Sequence, residues 1–246
     1  MKRYTLYMDR RQDSEVLAKR ALQVQRGGAR AAVLGVNDGL VSTLCIVLGV
    51  AGAGATTHSV LLAGFAGVIA GAVSMAAGEW ISVRSQVELF SGVLHDIRRL
   101  IGEDRPLLVD QIADSLSKTG HEDATAEKAA KEIAENDHHL MEAYARQVMG
   151  FNPDELGSPW VAAISSFVLF TVGALAPISP WFFGGGALAI WESVIFTALG
   201  SLIVGGYISS SSGKHIVRGA LRQFGIVVLA SAVTYGVGYL FGASIS

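Results

Sequence analysis

Five stretches of this chain, at 32–55, 59–80, 160–183, 186–209 and 223–243, are long and apolar enough to cross a bilayer, and nothing else constrains its fold as much. A spanning helix needs about 20 predominantly apolar residues. Lipid admits only segments that satisfy their own backbone polar groups, and strand patterning is absent, so the spans read as helices. The balance of residues agrees: 51% of 246 are hydrophobic and 16% are charged, below the ordinary charged share of soluble domains. The expected fold is an all-α polytopic membrane protein with five transmembrane helices and a small cytoplasmic three-helix domain between spans two and three.

Charge then orients the spans. Of the 19 Lys and Arg, 8 precede residue 31, 8 lie between 81 and 158, and Lys214, Arg218 and Arg222 occupy the fourth connection. The other two connections, 56–59 and 180–185, carry none, so the positive-inside rule puts the N-terminus in the cytoplasm and the C-terminus on the opposite side. A net charge of -2 gives no reason to expect a nucleic-acid partner. Residues 1–30 lack an apolar core and a small-residue cleavage site, so they do not read as a secretory signal. They form a basic segment, either lying along an anionic leaflet or solvated and serving topology alone. Cys45, the single cysteine, permits no internal disulfide.

The expected domains are this basic segment, spans one and two at 31–80, a cytoplasmic domain at 81–158, and spans three to five at 159–246. The cytoplasmic domain holds 15 of the 21 acidic residues. Its pattern predicts three helices: one continuing span two to about Leu100, one from Pro106 to Lys118 and one from Thr125 to Met149. Gly102, Pro106, Gly120, Gly150 and Pro153 mark the breaks.

Three more acids precede residue 31, and the last three, Asp38, Glu79 and Glu192, all fall inside apolar windows. A carboxylate at the centre of a membrane helix costs about 2.5 to 3.5 kcal/mol on insertion scales, so it faces a wet cavity, a partner or an ion. No Lys or Arg lies inside the windows to pair with them. At about 1.5 Å per residue, Asp38 lies about 9 Å from the cytoplasmic end of span one, and Met75 about 7 to 8 Å from the same end of span two. Met75 and Glu79, four residues apart, share a helix face. Thioether sulfur beside carboxylate oxygen suits Fe(II) or Mn(II) better than Na(I) or Ca(II). Glu192 is either an exit or proton site on the opposite side, or an interfacial residue beside Trp191 that snorkels to water.

Gly64, Gly67, Gly71, Ser74 and Gly78 form a small-residue stripe against which another span or a second subunit can pack, which makes a homodimer plausible. In the cytoplasmic domain the candidate ligands are His95, Asp96, Glu103, Asp104, Glu135, Asp137, His138, His139, Met141 and Glu142. Their types suit divalent metal, but charged residues on amphipathic helices are commonly a solvated face.

Two motifs carry a resemblance: Val33-Leu34-Gly35-Val36-Asn37-Asp38-Gly39-Leu40-Val41-Ser42-Thr43 in span one, and Ala70-Gly71-Ala72-Val73-Ser74-Met75-Ala76-Ala77-Gly78-Glu79 in span two. Pro153 to Trp160, Gly173 to Pro177 and Ala232 to Gly236 add to it. The chain resembles the vacuolar iron transporter family. That resemblance implies a five-span homodimer exporting cytosolic Fe(II) or Mn(II) in exchange for protons. Asp38 and Met75 would line the path at the subunit interface, and iron would be cargo rather than a tightly bound cofactor. It also implies glutamates and a methionine in the cytoplasmic helices, where this chain has Ile97, Leu100, Leu108, Gln111 and Ala134, with Ala31 in place of an acid at the start of span one. His95, His138 and His139 are possible substitutes. No bond-making chemistry is implied.

Overall fold

The computed structural model describes residues 28–153, 156–211 and 215–245. The basic arm falls outside them apart from the three residues that open the first helix, as do Asp154, Glu155 and Lys214. The described residues are mostly helical, without strands, and form two compact units, one within Ser82–Ser158 and one within Gly27–Ile81 and Pro159–Ser246.

The second unit contains α1 (Gly28–Gly52), the first half of α2 (Thr57–Glu103), α6 (Pro159–Ile178), α7 (Gly186–Ser211) and α8 (Ile216–Ile245). Its five helices are the five expected spans, and the chain is an all-α, multi-pass membrane protein. α8 starts earlier than its apolar window, so Arg218 and Arg222 belong to its first two turns rather than to a connection. Helical hydrogen bonding does not stop where apolarity does, and long basic side chains can reach water from such positions. The perimeter is apolar, with Leu62, Ile69, Val161, Leu188, Ile203 and Leu240 exposed. An exposed apolar surface of this extent needs lipid or another subunit to cover it.

α1 is the central helix, packed on α6, α7 and α8. It meets α6 backbone to backbone. A Cβ on Gly39 would stand 2.1 Å from the Phe170 carbonyl oxygen, and one on Gly173 would stand 2.3 Å from that of Val36. Gly39→Ala is therefore expected to lower stability by about 1–3 kcal/mol through overpacking. Gly78→Ala, with nothing within 4 Å of the added carbon, should be neutral or gain up to about 1 kcal/mol of helix propensity. Thermal unfolding of the two variants in detergent checks the contrast.

The first three glycines of the stripe on α2 have partners within the same chain. Gly64 receives Ile178, Gly67 receives Ile46, and Gly71 receives the Phe170 ring, each a large side chain seated in the space a Cβ would take. At the other end of α6, Pro177 lacks an N–H to continue the ladder. The chain tightens into a 3-10 turn at Ser179–Phe182, where Trp181 Nε1 donates to Ser193 Oγ at 2.9 Å. That hydroxyl lies 2.7 Å from the Pro177 carbonyl and 2.8 Å from that of Ala189, fixing α6 to α7.

The other unit contains the remainder of α2, α3 (Arg105–Lys118), α4 (Asp123–Ile133), and α5 (Asp137–Ala143), which continues into a π turn at Tyr144–Val148. Local signals place its breaks. Asp104 caps α3 by accepting from Leu107 N, and Gly120 and Gly150 adopt positive φ. The long third helix expected from Thr125 to Met149 is broken. Asn136 leaves the helix, and its side chain accepts from the backbone of His138 at 2.8 Å and His139 at 3.3 Å, starting a new helix. Arg105 holds the break by donating to the Ala134 carbonyl at 2.9 Å and pairing with Asp137. A side-chain cap offers those N–H groups an alternative to the helical ladder.

Candidate metal path

Asp38 sits on α1 one residue before Gly39, the point of closest contact with α6. Gly35 and Gly39 are buried, while Asp38 is exposed on the surface of the bundle, one turn beyond exposed Leu34. Met75 is half-buried and packs against Val68, Ala72, Phe170 and Ala174. Glu79, one turn along the same face, is also half-buried. The next residue, Trp80, makes an edge-to-face contact with Trp160, ring centroids 5.9 Å apart. Indole rings of this kind gather at the membrane–water interface. Glu192 is half-buried in the second turn of α7, next to the exposed Trp191.

Asp38 has neighbours that the sequence did not mark as functional. The amide of Gln223 on α8 donates from Nε2 to Asn37 Oδ1 at 2.8 Å. Gln223 opens an apolar window and Asn37 precedes a suspect acid. Those were the available signals, and neither says that residues 186 apart meet.

The candidate ligands of the other unit do not converge. Among the described residues, no group of three or more His, Cys, Asp or Glu is placed to hold a metal ion. His95 is exposed, while Asp96 and Glu103 lie 3.8 and 3.9 Å from Arg99. Glu135, His138 and His139 are exposed, and His138 lies 3.6 Å from Glu142, which also faces Arg146. Met141 is buried in the apolar core beside Leu140. The positions where ligands were expected belong to that core as well. Ile97 and Leu108 are 1% and 0% exposed, Ala134 is buried, and Leu100 packs against them. Gln111 accepts a hydrogen bond from the Tyr144 hydroxyl.

The model of the VIT family matches residues 29–239. A rice protein named vacuolar iron transporter homolog 1 is 32% identical over 87% of this chain and 73% of its own length. Vacuolar iron transporter homolog 3 of Arabidopsis thaliana is 28% identical over 97% of this chain and 94% of its own. The vacuolar iron transporter of Acanthamoeba castellanii is 30% identical over 87% and 78%.

Proposed function

Because the chain belongs to the VIT family, we propose that it carries a divalent transition metal, Fe(II) or Mn(II), out of the cytosol in exchange for protons. Asp38 and Met75 coordinate the ion on a path completed by a second copy of the chain, and Glu79 admits metal or passes protons at the cytoplasmic mouth. The observation that carries this reading is the outward-facing Asp38. A carboxylate facing hydrocarbon is costly, and no Lys or Arg lies in the apolar window that carries it. A homodimer that encloses Asp38 gives it water and a cation in place of lipid. Carboxylate with thioether is a donor pair suited to Fe(II) or Mn(II).

Proteoliposomes holding a metal-sensitive and a pH-sensitive dye test the proposal. Fe(II) or Mn(II) uptake with opposite proton movement is the expected result. No flux of either ion sinks it, and flux of other cations at equal rate sinks the cargo. A second reading, a membrane protein that senses or docks without transporting, is favoured by the apolar core that stands where metal ligands were expected. It predicts no flux and no metal binding.

A further inference from the structure

We infer that Gln223 is a positioning residue for Asp38, acting through Asn37; the inference rests on the reading of Asp38 as a metal-contacting group. Gln223 is 7% exposed, in the second turn of α8, and its amide reaches across to α1. Its stem has one way to go. A Cβ on Gly205 of α7 would stand 2.9 Å from Gln223 Cγ and 2.8 Å from the Gly219 carbonyl oxygen. α7 and α8 therefore approach closely, and the space left by Gly205 accommodates the glutamine as it turns toward α1.

On its other flank α1 is held by α6. A Cβ on Gly35 would lie 3.2 Å from the Ser166 carbonyl oxygen, and Gly39 has the closer contact already described. A third contact, Leu40 against Gly200, meets α7. Together with the Gln223–Asn37 bond, these contacts set the rotation of residues 35–40 about the helix axis, and Asp38 is left exposed. Of these contacts, the amide pair is the polar one. In an apolar bundle an amide without its partner is costly. Removing Gln223 favours a turn of α1 that brings the Asn37 amide toward the wet path, and the adjacent carboxylate turns with it.

The test uses the full-length protein in proteoliposomes, with Fe(II) as the probe, and compares Gln223→Asn, Gln223→Leu and the exchange Asn37→Gln/Gln223→Asn. Gln223→Asn shortens the side chain by one methylene and should raise the apparent KM for Fe(II) about ten-fold, the scale of a buried hydrogen bond lost, with a smaller change in maximal rate. The exchange keeps the summed length of the two side chains and should return KM to within about three-fold of the parent. Thermal unfolding of the same preparations separates position from stability, and rescue of KM without a matching change in unfolding temperature supports positioning. An unchanged KM in both single variants overturns the inference. So does a loss of flux that tracks unfolding temperature and is not rescued by the exchange. Parent-like flux in Asp38→Ala removes the premise, a failure distinct from either, because it leaves nothing for Gln223 to position.

Discussion

Asp38→Ala should reduce Fe(II) flux at least about 100-fold, equivalent to about 2.7 kcal/mol of lost ion stabilisation. The reason is electrostatic. A divalent ion leaving water for a membrane needs charge close by, and within the spans Asp38 is an acid at depth without a basic neighbour in its window. Truncating one partner of a desolvated charge pair commonly costs 2 kcal/mol or more. Asp38→Asn keeps the volume and should be nearly as poor, which separates charge from packing. Met75 asks for a different substitution because half of its role is visible as packing on Phe170 and Ala174. Met75→Leu keeps the volume and should cost less than about 1.5 kcal/mol of stability. If sulfur binds the metal, flux still falls, more for Fe(II) than for a hard ion such as Mg(II). Initial rates in proteoliposomes read all three variants. Parent-like rates for Asp38→Ala and Met75→Leu would refute the site.

The second large effect is expected in the other unit. Ile97→Glu restores the acidic residue type that the family resemblance implies, yet it places a carboxylate where the present side chain is 1% exposed among Leu108, Ile112 and Leu140. Burying a charge without a partner is among the few mechanisms that cost about 4 kcal/mol or more. The unit should open locally, with new protease cleavage confined to 82–158 in the full-length protein, and added Fe(II) should not restore protection. Protection by metal at low concentration would mean that a ligand set survives in the core after all. The wild-type unit, held by apolar packing and by caps such as Asn136, should keep its unfolding temperature in chelator.

Much of this was legible because it is local. Apolar length alone identifies the five spans, and the scarcity of acids inside them points to Asp38, Glu79 and Glu192 without any knowledge of contacts. The breaks before Pro106 and at Gly120 could be read from proline and glycine. The break at Ala134 to Asn136 could not, since Asn136 is a weak signal until Arg105, distant in sequence, grips the Ala134 carbonyl. The glycine stripe on α2 was visible as a pattern, but that pattern does not reveal its partners, Ile46, Phe170 and Ile178. Nor does it reveal that the closest backbone contacts belong to other glycines, Gly39 and Gly173 between α1 and α6 and Gly238 between α8 and α1.

The candidate site divides in the same way. Which residues are costly in a membrane can be read from the chain alone, because that cost is a property of each side chain and its solvent. Which way candidate residues face and what stands behind them depends on packing: Asp38 is outward, Met141 is buried in the other unit's core, and Asn37 is tied to Gln223. Orientation comes from pairings between residues far apart in the chain, whose free energy no single window of sequence contains.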